Sequence, residues 1–252
     1  MDRADPVEFR NSRGLRLRGD LLRGGTESMV VMAHGFTSDR RSRGRFGRLA
    51  NAFAEDGYSS LRFDFSGCGE SDDDTLTMAK QVEDLQAALA FVESVGFRHI
   101  ALYGHSLGGL ICLRAYSPQV ATMMLSGAAT GAMHYEWDQY FSPVQMRELS
   151  ETGLLTVHPD EGPRRQIVVE AGMLEKFERI DQPELLSRVK CPVLLIHGDQ
   201  GEEERQLLER SREGIEYLPK GSRLALIRGA NHTMLDHFDR VIQLTRDWLA
   251  EN

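Results

Sequence analysis

Apolar residues in this chain follow two patterns. Short unbroken runs, such as Met29-Val30-Val31-Met32-Ala33, Ile100-Ala101-Leu102-Tyr103 and Val193-Leu194-Leu195-Ile196, have the length and density of strands buried on both faces. Further strands are predicted over 59–65, 120–125 and 223–227. Elsewhere the apolar positions recur every three or four residues. Met78, Val82, Leu85, Leu89 and Val92 predict an amphipathic helix over 76–95, closed by Gly96. Helices are also predicted over 42–56, stopped by Gly57, over 110–116 and over 238–249. A hairpin over 7–22, turning at Asn11-Ser12-Arg13-Gly14, opens the chain. Strands that alternate with helices predict an α/β fold, with a mostly parallel sheet covered on both faces.

Residues 128–190 break the alternation, being too long for a simple crossover. A hairpin is predicted there, with arms at 154–158 and 165–169 joined across Asp160-Glu161-Gly162-Pro163, followed by a helix over 171–180. The expected organisation is a core of residues 1–127 and 191–252, with a small lid of residues 128–190 over the C-terminal edge of the sheet. Trp137, Tyr140, Phe141 and Met146 serve either as the core of that lid or as an apolar lining for a ligand.

Composition narrows the setting. The chain has 252 residues, enough for one α/β domain with an insertion. Its formal charge of −8 argues against a general nucleic-acid binder and for a small-molecule partner. Cys68, Cys112 and Cys191 form neither a disulfide framework nor a Cys-x-x-Cys pair. The charged start Met1-Asp2-Arg3-Ala4-Asp5-Pro6 has no signal-peptide pattern, and no run approaches the roughly 20 apolar residues of a membrane span. A cytoplasmic location is therefore expected, and a homodimer is left open.

The chemistry centres on Gly104-His105-Ser106-Leu107-Gly108-Gly109, which lies between a predicted strand and a predicted helix. Gly-x-Ser-x-Gly at a strand-to-helix turn is a nucleophile elbow, which pushes the serine hydroxyl out above the sheet. The new helix also aims its first amides at any oxyanion formed there. A serine nucleophile needs a base, and His232 follows the last strand, on the loop that opens at the same sheet edge. For the oxyanion, the expected donors are the backbone N–H groups of Leu107 and of Phe36, after the strand ending at Ala33.

This assembly resembles the α/β-hydrolase fold family over nearly the whole chain. The similarity rests on His34-Gly35-Phe36, the turn Asp64-Phe65-Ser66-Gly67-Cys68-Gly69, the elbow, His197-Gly198-Asp199-Gln200 and Gly229-Ala230-Asn231-His232. Within the family it looks most like small lidded serine esterases: feruloyl or cinnamoyl esterases, acyl-protein thioesterases and monoacylglycerol-lipase-like enzymes. The resemblance implies a serine hydrolase of carboxylic esters or thioesters with no metal or organic cofactor. An acyltransferase, an amide or C–C bond hydrolase, or a binding protein with a degenerate triad are the alternatives.

One departure stands out. The family pattern His-Gly-x-x-Asp would place the orienting acid where this chain has Gly201. Glu202, one step on and one methylene longer, is the first choice for the acid, with Asp199, Glu203 and Glu204 as alternatives.

The remaining polar clusters have plainer readings. His34, His105 and His197 are expected to pack or hydrogen-bond beside strand ends, and no histidine pair has zinc spacing. Gly67-x-Gly69 after Asp64 is read as a structural turn, because the third glycine of a dinucleotide fingerprint is missing. Arg40, Arg41, Arg43, Arg45 and Arg48 read as a solvated helix face, with contact to an acidic substrate group as the alternative.

Overall fold

A computed structural model describes residues 4–252. Residues 1–3 of the charged start lie outside the described residues. In chain order the elements are β1 (Asp5–Arg10), β2 (Arg16–Leu22), β3 (Ser28–Ala33), α1 (Arg45–Glu55), β4 (Ser59–Phe63), β5 (Thr75–Leu76), α2 (Met78–Ser94), β6 (His99–His105), α3 (Leu107–Arg114) and β7 (Val120–Ser126). There follow α4 (Pro143–Thr152), β8 (Leu154–Val157), β9 (Ile167–Glu170), α5 (Ala171–Glu178), α6 (Gln182–Ser187), β10 (Val193–Gly198), α7 (Glu202–Gly214), β11 (Arg223–Ile227) and α8 (Phe238–Glu251).

Eight strands form one sheet in the order β1-β2-β4-β3-β6-β7-β10-β11. Only the pairings of β2 with β1 and with β4 are antiparallel; every other neighbour is parallel. Side chains alternate across the sheet with period two. Val30, Met32, Ala101, Tyr103 and Met124 pack under α1 and α8, with Phe46, Phe53, Val241 and Trp248. Met29, Val31, Leu102 and Leu125 face the other side, against Leu85, Leu89, Ile111 and Leu207 of α2, α3 and α7. Unbroken apolar runs are what a strand needs when both of its faces are covered.

The predicted hairpin is present, with Leu154 opposite Glu170 and Val157 opposite Ile167. It does not stand alone, because Thr75 and Leu76 of β5 pair in parallel with Val168 and Val169 of β9. Polar links reinforce the junction. Lys80 Nζ donates to Glu170 Oε1 (3.0 Å), and Arg164 donates to the carbonyls of Gly69 and Ser71.

Two predicted boundaries shift for identifiable reasons. The helix expected from residue 42 starts at Arg45, because Ser42, Arg43 and Gly44 hold positive φ values of 46°, 56° and 81°, which an α-helix excludes. The strand expected to reach 65 stops at Phe63, where Asp64 turns its buried carboxylate to the Arg40 N–H (2.6 Å) and the Glu70 N–H (2.9 Å).

The arginine cluster is not a single solvated face. Arg41, Arg43 and Arg48 are exposed, but Arg40 and Arg45 are buried. Arg40 is held by Asp64, Asp20 and Glu70. Cys68, Cys112 and Cys191 are free and buried, and burial pushes each thiol's pKa up. No helix among the described residues is long and apolar enough to cross a membrane.

Candidate active site

Ser106 caps the N-terminus of α3 with φ 55° and ψ −123°, left-handed backbone that costs a non-glycine residue roughly 1–3 kcal/mol. Packing enforces it. A Cβ on Gly108 would lie 2.0 Å from the Ala33 carbonyl oxygen, so only glycine lets α3 approach β3 this closely. The Ser106 N–H donates to the Ser126 carbonyl (2.8 Å), which fixes the turn against β7.

His232 lies on the loop after β11, and the Asn231 side chain shapes that loop. Asn231 Oδ1 accepts from the N–H groups of Thr233 (3.1 Å) and Met234 (3.2 Å). This brings His232 Nε2 within 2.9 Å of Ser106 Oγ, and Nδ1 within 2.7 Å of Glu204 Oε2. A carboxylate only accepts, so Nδ1 carries the proton and the Nε2 lone pair faces the serine hydroxyl. That tautomer is the one a general base requires.

Glu202, the acid expected from sequence, does not take part. It is exposed on the first turn of α7, where its carboxylate accepts from Arg205 and Gln206 (both 3.0 Å). Asp199 instead accepts from the Gly229 N–H (2.6 Å), and Glu203 accepts from the Tyr135 hydroxyl (3.2 Å). The physical reason is helical geometry. Residues 202–214 form a helix, and Glu204, Leu207, Leu208 and Ser211 share its buried face. That spacing of three, four and seven is visible in the sequence and marks Glu204 as the inward carboxylate.

Glu204 is fully buried, with three donors on its two oxygens. Oε1 accepts from His197 Nδ1–H and from the Gly198 N–H (each 2.9 Å), while Oε2 takes His232. Burial favours the neutral acid, but the hydrogen bonds from His197 and His232 outweigh it and hold the carboxyl at about 2. His197 is thus a second orienting group, its Nε2 in turn 2.9 Å from Ser211 Oγ.

Burial lowers the proton affinity of His232, and Arg45 adds to that. The Glu204 hydrogen bond and the charges of Glu203 and Glu204 prevail, so its pKa lies above the ordinary 6.5. Gly127, which the sequence reading passed over, seats this pair. Its φ is 58°, and a Cβ there would come within 3.0 Å of the imidazole.

Phe36 and Ser106 line one cavity of about 610 Å³, with Arg45, His232 and the hairpin tip Val157 to Gly162. Among the described residues, neither the Phe36 nor the Leu107 N–H donates to a protein acceptor. His34 shapes the loop beneath them. The Phe65 N–H donates to His34 Nε2 (3.3 Å), and His34 Nδ1–H donates to the Gly35 carbonyl (2.9 Å). Burial keeps this imidazole neutral.

None of the Trp, Tyr or Phe residues of 128–190 lines the cavity, although Phe177 packs edge-on against Phe36. Trp137 stacks on Tyr135 and Phe141 and tilts against Phe177. Among the described residues no group of three or more His, Cys, Asp or Glu is placed to hold a metal ion.

The model of the alpha/beta hydrolase family matches residues 30–244. The chain belongs to the alpha/beta hydrolase family. Of known relatives, this alpha/beta hydrolase chain is 35% identical over 86 residues to an uncharacterized 31.7 kDa protein of Escherichia coli, covering 32% of this chain and 29% of that protein. It is 33% identical over 112 residues to the quorum-quenching protein AidA of Acinetobacter baumannii, covering 41% of this chain and 36% of that one. These matches span less than half the length of the curated relatives. Among solved structures, the ferulic acid-bound Est1E of Butyrivibrio proteoclasticus superposes with a TM-score of 0.76 at 21% identity, covering 97% of this chain and 98% of that one. At that identity the likeness bears on the fold.

Proposed function

We propose that this chain is a serine hydrolase that cleaves small, polar carboxylic esters or thioesters through a Ser106–His232–Glu204 acyl-enzyme mechanism. The observation that carries the reading is the unbroken line of hydrogen bonds from Ser106 Oγ through both imidazole nitrogens to Glu204. His232 Nε2 takes the serine proton as Oγ attacks the carbonyl carbon. The N–H groups of Phe36 and Leu107 hold the tetrahedral oxyanion, with about 3 kcal/mol per donor as the expected scale. His232 then gives its proton to the leaving alkoxide or thiolate. Water repeats the sequence on the acyl-enzyme, which releases the acid and restores Ser106.

The cavity supports a substrate that is short and polar. Phe36, Val157 and Pro159 are the apolar side chains among its lining residues, and the remainder are polar, charged or glycine. In this reading residues 128–190 are a lid on a core of 1–127 and 191–252. The lid offers its hairpin tip as one cavity wall, while its Trp, Tyr and Phe residues stay out of the cavity lining.

Two measurements test the proposal. A fluorophosphonate probe should label Ser106, and p-nitrophenyl acetate and butyrate should be hydrolysed, with both signals lost in Ser106→Ala. Activity surviving in Ser106→Ala, or a preference for palmitate over butyrate esters, would refute it.

A further inference from the structure

Arg45 is a buried cation that the mechanism above leaves unused. At 7% exposure it opens α1, and it lines the Ser106 cavity. Arg40, also buried, is matched by three carboxylates, whereas Arg45 has no carboxylate within ion-pair distance among the described residues. Burying a guanidinium without a counter-charge is costly unless its N–H groups are satisfied. Here the acceptors are neutral and come from three segments. Nε and Nη2 donate to the carbonyl and hydroxyl oxygens of Ser42 (both 2.9 Å). Nη1 donates to His105 Nε2 (2.9 Å) and to the Thr233 carbonyl (2.5 Å).

Those last two acceptors flank the reacting pair. His105 directly precedes Ser106, and Thr233 directly follows His232. We propose that Arg45 is a positioning residue, which ties the strand end bearing the nucleophile to the loop bearing the base and sets a fixed positive charge beside the imidazole. The inference rests on the serine-hydrolase reading.

Donor chemistry makes the tie specific. A guanidinium cannot accept, so His105 Nε2 must accept and His105 Nδ1–H must donate to Ser126 Oγ (3.0 Å). The Ser126 carbonyl in turn receives the Ser106 N–H (2.8 Å). One arginine thereby selects the His105 tautomer and braces the elbow from beneath.

The charge has its own role. Glu203 and Glu204 of α7 favour the protonated His232, and His197 stands behind Glu204. Next to His232 also stand the His105 ring, 5.4 Å from the His232 ring, and Arg45, which bonds the Thr233 carbonyl. Burial and the Arg45 charge hold His105 neutral, so of these two groups Arg45 is the permanent cation. Its charge lowers the proton affinity of His232, against the two carboxylates that raise it.

The test compares Arg45→Met and Arg45→Lys with the wild type in kcat, KM, melting temperature and the pH profile of kcat/KM. Arg45→Met should lower kcat about 10- to 100-fold, with KM within about threefold, since misplacement of the reacting groups affects the chemical step. Its acid limb should move to higher pH. Arg45→Lys keeps the charge but lacks the planar fork, so the acid limb should stay in place while kcat recovers only in part. An Arg45→Met kcat within twofold of wild type with an unmoved limb overturns the proposal. Arg45→Lys decides it if Arg45→Met does not fold: an unchanged kcat, or a limb that moves, overturns it. Absence of probe labelling in the wild type would instead remove the serine-hydrolase reading itself.

Discussion

Replacing Glu204 with glutamine keeps the shape of the side chain but gives one end an NH₂ group. The two carboxylate oxygens face three N–H donors, two at Oε1 and one at Oε2. An amide has a single oxygen. Turned toward His197 and Gly198, that oxygen satisfies both donors, and the NH₂ points at His232. The opposite orientation sets an NH₂ against the buried Gly198 N–H, a donor that cannot change role, at about 1–3 kcal/mol. The first orientation therefore wins. His232 must then accept at Nδ1 and carry its proton on Nε2, facing Ser106 Oγ as a donor. A base in the wrong tautomer cannot take the serine proton. The expected loss in kcat is about 10³- to 10⁴-fold, or about 4–5.5 kcal/mol of transition-state stabilisation. The assay is p-nitrophenyl butyrate hydrolysis near pH 8, with circular dichroism reporting the folded fraction. Glu202→Gln is the companion, and it should leave kcat within about twofold because its carboxylate is exposed and bonds only Arg205 and Gln206. A loss under tenfold in Glu204→Gln, or a large loss in Glu202→Gln, would refute the assignment of the acid.

Further outcomes are expected for pH dependence and for two substitutions. The acid limb of kcat/KM should lie above the ordinary 6.5 of imidazole, because the pKa of His232 is raised and the base must be neutral; a limb below 6.5 contradicts this. The same raised pKa stabilises the fold below pH 6.5 and ceases to do so as the pH rises through the raised value. The depressed pKa of Glu204 has the opposite sign, so its stabilisation is present above pH 4.5 and is lost as the pH falls toward 2, visible as acid unfolding in that window. Gly108→Ala places a Cβ against backbone 2.0 Å away and should cost about 3 kcal/mol or more, read as a fall in melting temperature or as loss of soluble protein. Arg40→Met leaves the buried Asp64 without its cation and should destabilise by about 3–5 kcal/mol in urea unfolding.

Much of the candidate site is legible because it is written in local backbone requirements. Ser106 announces itself through glycines that a strand-to-helix turn demands. His232 follows from its place after the last strand, and Phe36 from its place after β3. Glu204 is different. Three consecutive glutamates look alike in one dimension, and counting from the family spacing points to Glu202. Only the rotation of α7, fixed by Leu207 and Leu208 packing inward, turns Glu204 toward His232 and Glu202 into solvent. A periodic reading of 202–214 would have found that face, but the site is defined by where β10 and the His232 loop meet it.

The arginines make the same point about burial. Five cations in nine residues read as a solvated surface. Instead Arg40 bonds Asp64, and Arg45, which opens α1 after three left-handed residues, bonds His105. Sequence by itself determined the alternation of strands and helices and the strand-to-helix turn at Ser106, because these depend on neighbours within a few residues. Tertiary structure decided which carboxylate meets His232 and which arginine is buried beside His105, and it joined β5 to the hairpin. Each depends on side chains separated by tens of residues, and only the packed sheet brings them within hydrogen-bond reach.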